Sequence, residues 1–196
     1  MPGISPMSTH YIEIRILPDP EFSAAHLMGA LYAKLHRALV QMRTQGLGVS
    51  FPEYSLKPRG LGQVMRIHGA LPELQSLEQT QWLRGMRDHI ELKEVCPVPE
   101  GVKYRTFYRR QFKTNVDRLR RRRMKRHGET AEQAAAAIPD RVQQQPDLPF
   151  IQLRSQSTAQ AFCLFLEMGP EHGVPAAGGF NAYGLSSEAT VPWFLP

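Results

Sequence analysis

The first 95 residues of the chain contain a series of segments in which apolar residues repeat with the period of a strand or of a helix. Tyr11 to Leu17 alternates in the manner of a half-buried strand, with three isoleucines on one face. Leucines then recur at every fourth position from Leu27 to Leu39, and Ser23 is a suitable N-cap, which indicates a helix over residues 23–42. Short strands at 46–52 and 64–68, a helix at 71–83 and a strand at 90–95 complete the series.

This series has the order β-α-β-β-α-β, the ferredoxin-like arrangement that common RNA-recognition domains also use. Residues 96–102, with two prolines and a glycine, indicate a boundary. The sequence therefore predicts an α+β protein with a ferredoxin-like domain at 1–101 and a smaller α+β domain at 102–196. In the second domain we expect strands at 104–111, 150–154 and 162–166, and helices at 116–127 and 129–137. Fold alone assigns no function.

Half of the chain's basic residues lie in one stretch of 24 residues. Residues 103–126 contain twelve of the 24 lysines and arginines but one of the 18 acids, so this segment carries +11 while the rest carries −5. On a helical wheel of residues 116–127, Arg118, Arg121, Arg122 and Lys125 share one side, with Arg126 at its edge, while Arg120 and Arg123 fall among the apolar residues. Such a dense basic face usually meets phosphate.

The charge pattern leaves other partners open. A solvated basic face, a targeting patch, an acidic protein or membrane headgroups would also tolerate it, although the helix lacks the apolar face that favours a membrane. Like charges at i, i+4, such as Arg118 with Arg122, repel each other, and a polyanion would relieve that repulsion. The signs of the charges do not distinguish RNA from DNA.

Several classes of function are disfavoured by what the sequence lacks. Residues 1–7 lack the charged and then apolar pattern of a secretory signal, so none is expected, and no apolar run reaches membrane-spanning length. The two cysteines, Cys96 and Cys163, are expected to be free thiols in a reducing cytoplasm. The seven histidines include no i, i+4 pair and there is no C-x-x-C, so we predict no metal site and no cofactor. No phosphate-binding glycine loop indicates nucleotide chemistry.

Six motifs appear together and in order from the first strand to the C-terminus. They are YIEIRILPDPEF (Tyr11–Phe22), GVSFP (Gly48–Pro52), RLRRRRMKRH (Arg118–His127), LRSQST (Leu153–Thr158), YGLS (Tyr183–Ser186) and VPWF (Val191–Phe194). In this combination the chain resembles the CRISPR repeat-processing endoribonuclease of type I-F systems. The resemblance implies a metal-independent enzyme that binds a stem-loop in precursor CRISPR RNA and cuts once at the base of the stem. It also implies that the enzyme stays bound to the mature guide.

The resemblance implies the catalytic residues as well. In this family the 2′-hydroxyl upstream of the cut attacks the phosphorus, leaving a cyclic phosphate and a 5′-hydroxyl. His36 matches the catalytic histidine, Ser155 a serine that holds the attacking hydroxyl, and Tyr183 a tyrosine that orients the histidine. Without the resemblance, these residues have ordinary explanations as a surface histidine, a strand-end serine and a core aromatic. His36 lies roughly 100° from the leucine stripe, so it can face away from the core.

Further residues match family positions that contact RNA. Arg109 and Gln111, at i and i+2 of one strand, match residues that read bases at the foot of the stem, and Phe162 an aromatic that stacks under the closing base pair. Ser157 and Thr158 match positions near the scissile phosphate. In the family, an arginine-rich helix enters the groove of the RNA stem. The residues that match this helix are Arg118, Arg121, Arg122, Lys125, Arg126 and His127. Arg110 and Arg123 depart from the family pattern by adding charge.

The expected partners are therefore the CRISPR repeat stem-loop and the other subunits of a type I-F surveillance complex, in the cytoplasm and with no membrane. The same basic helix would serve a non-cleaving subunit that only binds the hairpin in that complex. It would also serve a general double-stranded nucleic-acid binder, which would hold DNA of the same sequence equally well.

Overall fold

The computed structural model describes residues 8–112, 116–139, 146–155 and 159–195. Within them the strands are β1 (His10–Ile16), β2 (Gly48–Ser50), β3 (Ser55–Leu56), β4 (Arg59–Gly60), β5 (Val64–Gly69), β6 (Ile90–Leu92), β7 (Cys96–Pro97), β8 (Lys103–Arg105), β9 (Phe107–Arg110), β10 (Phe150–Arg154), β11 (Ala161–Met168) and β12 (Val191–Trp193). The helices are α1 (Ala24–Met42), α2 (Leu71–Gln79), α3 (Val116–His127) and α4 (Ala131–Ala137), with a 3-10 turn at Arg87–His89. The predicted α+β class is confirmed.

The main core lies between one sheet and the first two helices. The strand order is β2–β5–β1–β6, each pair antiparallel, and β7 continues beside β1. The β1 isoleucines share one face and are buried with the leucine stripe of α1, as predicted. The hydroxyl of Ser23 accepts the His26 amide at 3.2 Å, so α1 begins at the predicted cap.

The opposite face of this sheet is covered by the last described residues. Arg66 donates to the carbonyl oxygen of Phe194 at 2.5 Å, and its guanidinium carbon lies 4.0 Å from the centre of that ring. Tyr11 contacts the same ring edge-on at 5.1 Å. RNA-recognition domains stack bases on this face. In this chain the C-terminal residues cover that face.

A second sheet packs on the far side of α1. Its strand order is β10–β11–β9, and the ladder of β8 with β12 lies apart from it. A Cβ atom on Gly29 of α1 would come within 2.9 Å of the Gln152 carbonyl oxygen of β10. Only glycine allows the helix and strand to approach this closely, and β10 leads directly into Ser155.

Three predicted boundaries were wrong, each for a local reason. The strand expected at 104–111 is broken at Thr106, because β8 pairs with β12 whereas β9 pairs with β11. The helix expected to reach Leu83 ends at Gln79, although Leu83 stays buried in the turn that follows. The strand expected at 90–95 stops at Leu92, and pairing with β1 resumes at Cys96 in a register shifted by one residue, as in a β-bulge.

Backbone contacts divide the described chain into two compact units. Residues up to Arg110 and from Leu148 onward form one unit, and the residues between Gln111 and Asp147 form the other. The division into domains at 1–101 and 102–196 stays a prediction. Cys96 and Cys163 are free. Among the helices of the described ranges, none has the length and apolar character that crossing a membrane requires.

The second unit contains α3 and α4 as a pair of connected helices. Thr130 and Gln133 form a capping box at the start of α4. Arg120 of α3 donates to the Ile138 carbonyl oxygen at 2.9 Å, just beyond the end of α4. The predicted end of the arginine-rich helix is confirmed, because α3 ends at His127, immediately before Gly128.

Candidate active site

His36 and Tyr183, which are 147 positions apart in the sequence, are brought together in the first unit. Their rings stack face to face, with 3.9 Å between centroids and 3° between planes. The Nδ1 atom of His36 lies 2.7 Å from the carbonyl oxygen of Ala182. The stack fixes the plane of the imidazole, and the hydrogen bond fixes its rotation within that plane.

This hydrogen bond also determines which imidazole nitrogen is available for chemistry. A backbone carbonyl can only accept a hydrogen bond, so Nδ1 must carry the proton. In neutral His36 the lone pair therefore lies on Nε2, which can accept a proton from a substrate. If Nε2 takes that proton, Nδ1 keeps its own proton and its bond to Ala182.

The turn that carries Tyr183 is held rigidly. The side-chain oxygen of Asn181 accepts the amides of Tyr183 at 2.8 Å and Leu185 at 3.3 Å. Gly184 has a φ of +69°, and a Cβ atom there would lie 2.5 Å from a methyl carbon of Val49. Its carbonyl oxygen accepts the Val49 amide of β2 at 2.9 Å. The sheet thus anchors the turn that orients His36.

Ser155 lies half-buried, one residue beyond β10. Its backbone amide donates to the Gln160 carbonyl oxygen at 2.9 Å. The predicted phosphate contacts Ser157 and Thr158 lie outside the described residues. The geometry therefore joins His36 to Tyr183 and places Ser155 at the end of the strand that packs on the histidine's helix.

Two of the predicted RNA-contacting residues also come together in this unit. The guanidinium carbon of Arg109 lies 6.0 Å from the centre of the Phe162 ring, within reach of a cation–π contact. Arg110 points to the other face of β9, where it forms an ion pair with Glu167. The charge that Arg110 adds to the sequence is therefore offset locally.

In the second unit, the arginines of α3 divide into two groups. Arg123 makes two hydrogen bonds to the Glu129 carboxylate, at 2.7 and 2.8 Å, and this contact lowers the pKa of Glu129. Arg120 faces α4, as the helical wheel predicts. By contrast, Arg122, Lys125 and Arg126 are exposed and have no acidic partner in the described part of the chain. Arg118, Arg121, His127 and the strand-end Gln111 are exposed as well.

Two other kinds of catalytic centre find no support among the described residues. Within the described ranges, no three His, Cys, Asp or Glu side chains are grouped so that they could hold a metal ion. His68 is fully buried beside Ser50, and burial together with the charge of Arg66 lowers the pKa of its imidazole to about 3. That imidazole stays neutral and has no access to a substrate.

The sequence indicated Tyr183 but not two other residues that hold His36 and its turn in place, Ala182 and Tyr32. Ala182 contributes only its backbone carbonyl, which leaves no side-chain pattern. Tyr32 precedes His36 by one helical turn, and its hydroxyl donates to the Tyr183 carbonyl oxygen at 2.7 Å. Only the aromatic residue at i−4 of the histidine could have suggested this contact.

Comparison with known proteins identifies a family for the chain. The model of the family described as "CRISPR-associated protein (Cas_Csy4)" matches residues 11–194. A protein of Pseudomonas aeruginosa (strain UCBPP-PA14), named CRISPR-associated endonuclease Cas6/Csy4, is 47% identical over 185 residues, which cover 94% of this chain and 99% of the relative. A protein of the same name from Escherichia coli (strain UTI89 / UPEC) is 44% identical over the same shares of the two chains.

Proposed function

Because this chain belongs to the Cas_Csy4 family of CRISPR-associated proteins, we propose that it is a metal-independent endoribonuclease that processes precursor CRISPR RNA. It binds a stem-loop and cleaves once at the base of the stem. The observation that carries this proposal is the bond between Nδ1 of His36 and the Ala182 carbonyl, at 2.7 Å, because it leaves Nε2 as a proton acceptor.

The proposed reaction uses the RNA's own hydroxyl as the nucleophile. Nε2 of His36 takes the proton of the 2′-hydroxyl upstream of the cut, and the oxygen attacks the adjacent phosphorus. The bond from phosphorus to the 5′-oxygen breaks, and that oxygen takes a proton from solvent and leaves as a 5′-hydroxyl, while His36 returns its proton to solvent. The upstream fragment ends in a cyclic phosphate. This chemistry requires no metal-bound water.

In this scheme, Ser155 and Tyr183 position the reacting groups. The Ser155 hydroxyl holds the 2′-hydroxyl in line with the leaving oxygen, which contributes through orientation. Tyr183 keeps the imidazole plane fixed through the stacked rings. Neither residue forms a covalent intermediate.

Recognition is divided between base contacts and backbone contacts. We assign base reading at the foot of the stem to Arg109 and Gln111, and stacking under the closing base pair to Phe162. Ser157 and Thr158 remain proposed contacts to the scissile phosphate. The phosphates of the stem are bound by the exposed face of α3, and the residues of that face are Arg118, Arg121, Arg122, Lys125, Arg126 and His127.

The wider setting of the reaction is also part of the proposal. After cleavage the protein stays on the mature guide and joins the other subunits of a type I-F surveillance complex, in the cytoplasm, where the transcript is present. Residues 1–101 form a ferredoxin-like domain and 102–196 an RNA-binding domain. Support for the first comes from the antiparallel strand order β2–β5–β1–β6 with α1 and α2 as the connecting helices.

Arg122→Ala and Arg123→Ala should differ in how salt affects hairpin binding. Losing Arg122 should make the slope of log K against log salt less steep by about 0.7 to 0.9, the value for one phosphate contact. Arg123→Ala should change the slope much less, because Glu129 already offsets its charge. Fluorescence anisotropy with a labelled hairpin over a range of salt concentrations measures both slopes. Equal slopes for the two variants would contradict the division of the α3 arginines.

Incubation of a cognate hairpin with the protein in excess EDTA tests the proposed function. The expected result is one cut at the base of the stem at the rate seen without chelator. A DNA hairpin of the same sequence should be bound more weakly and left intact. Tight binding of the RNA without any cut would instead identify a non-cleaving hairpin-binding subunit. Equal affinity for the DNA hairpin would identify a general nucleic-acid binder.

A further inference from the structure

We propose that Tyr32 is a positioning residue for His36, acting through its hydrogen bond to the carbonyl of Tyr183. This inference rests on the proposed function, since it concerns the same histidine. Tyr32 touches no reacting atom. Its role is to set where the turn at residues 181–185 lies along α1.

The geometry consists of two hydrogen bonds between one helix and one turn. Tyr32 and His36 lie one helical turn apart on the same face of α1. Tyr32 donates to the carbonyl oxygen of Tyr183 at 2.7 Å, and His36 donates to that of Ala182, also at 2.7 Å. Two successive carbonyls are thus held by two successive turns of the helix. The sheet anchors the turn at Gly184, and these two bonds fix the position of the Ala182–Tyr183 segment against α1.

The rings of Tyr32 and His36 on α1 also both face the ring of Tyr183 in the turn. The Tyr183 ring lies parallel to His36 on one side, and it is nearly parallel to Tyr32, with 6.3 Å between centroids and 13° between planes. A shift of the Tyr183 backbone would therefore change the imidazole stack as well as the Ala182 hydrogen bond. The bonds from Asn181 stiffen the turn and transmit any such shift from one carbonyl to the next.

The Tyr32 hydroxyl is suited to a hydrogen bond that does not change with pH. Its side chain is fully buried, and burial, with a smaller contribution from Tyr183, raises the pKa of the phenol well above its ordinary value of 10.0. It therefore remains a donor at every pH at which the protein would act. Within the described residues, no other donor reaches the Tyr183 carbonyl oxygen, so removing this hydroxyl leaves that oxygen unsatisfied.

Tyr32→Phe tests the proposal, with Tyr54→Phe as its matched control. Phenylalanine keeps the ring and removes only the hydroxyl. The Tyr54 hydroxyl likewise donates to a backbone carbonyl, that of Leu166 at 3.2 Å, and its ring packs against Phe107. Three quantities are compared with the wild type: the single-turnover cleavage rate at saturating protein, the Kd for an uncleavable 2′-deoxy hairpin, and the NMR signals of the His36 ring protons.

We expect Tyr32→Phe to slow cleavage by roughly fivefold to tenfold, the effect of one hydrogen bond, with Kd unchanged within about twofold. The ring-proton signals of His36 should move toward those of an unstacked histidine. Tyr54→Phe should leave all three quantities at wild-type values.

Two results would overturn the proposal. The first is a His36 spectrum that does not change in Tyr32→Phe, whatever happens to the rate. The second is a parallel loss of affinity and of melting temperature, which indicates a general structural role. If the wild type cleaves no hairpin, the proposed function fails. The His36 spectrum of the free protein still decides whether Tyr32 holds the turn.

Discussion

Replacing His36 with alanine is expected to slow cleavage of a bound hairpin by about 10²- to 10⁴-fold, the usual contribution of a positioned general base. Hairpin affinity should change by less than about threefold, because the phosphate contacts assigned to α3 do not involve this side chain. Single-turnover cleavage at saturating protein measures the rate, and filter binding with an uncleavable hairpin measures the affinity.

His26→Ala is the matched control for this prediction. His26 lies on the same helix and is exposed, and its ring stacks on Phe22 rather than on Tyr183. Its loss should leave cleavage at the wild-type rate. Free imidazole added to His36→Ala should restore part of the activity, because it supplies the missing base. A loss smaller than tenfold in His36→Ala, or an equal loss in His26→Ala, would show that His36 is not the base.

Arg66→Met is expected to lower the free energy of unfolding by about 3 to 5 kcal/mol, the usual cost of breaking a buried ion pair. Arg66 and Glu13 have side chains that are 3% and 2% exposed, and their closest atoms are 2.6 Å apart. Without Arg66, the partner that the Glu13 carboxylate keeps among the described residues is Lys93, at 2.6 Å. The Phe194 carbonyl loses its donor at the same time. Urea unfolding followed by circular dichroism measures the change.

A surface ion pair that involves Arg15 of β1, the strand of Glu13, provides the control. Arg15 and Glu53 lie 3.2 Å apart with about a third of each side chain exposed, so Arg15→Met should cost at most about 1 kcal/mol. If Arg66→Met costs no more than Arg15→Met, then the triad of Glu13, Arg66 and Lys93 does not hold the C-terminal residues on the sheet.

The same triad gives the folded protein a pH dependence. Burial alone would raise the pKa of Glu13, but the hydrogen bonds and charges of Lys93 and Arg66 outweigh burial and lower it below 4.5. Since the folded pKa is below the unfolded one, the stabilisation is complete above about pH 4.5 and is lost as the pH falls through the folded value. The wild type should therefore lose stability in acid more steeply than Arg66→Met.

The sequence was sufficient to predict the elements whose residues repeat with a simple period. The isoleucine alternation of β1, the leucine stripe and Ser23 cap of α1, and the ends of α3 were all predictable, because local propensity and burial agree there. The early ends of the second helix and the sixth strand were not. At both places apolar or extended residues continue beyond the last hydrogen bond, and the pattern alone does not show where pairing stops.

The sequence indicated candidate residues for the site, but not the contacts that orient them. A motif indicated His36 and Tyr183, yet the Ala182 carbonyl that orients the imidazole comes from a turn distant in sequence. Backbone acceptors carry no residue signature, so only the fold reveals them. Likewise, the acids that offset Arg110 and Arg123 lie on a neighbouring strand and beyond a helix end. No helical or strand spacing predicts either pair.

The most direct test of the account uses two hairpins that differ by one oxygen. One is all RNA, and the other has a 2′-deoxy nucleotide immediately upstream of the cut; both are incubated with the protein in EDTA. The account predicts that the RNA hairpin is cut and that mass spectrometry finds a cyclic phosphate on its upstream fragment, while the 2′-deoxy hairpin is bound with equal affinity and stays intact. Cleavage of the 2′-deoxy hairpin would contradict attack by the 2′-hydroxyl and, with it, the role assigned to His36.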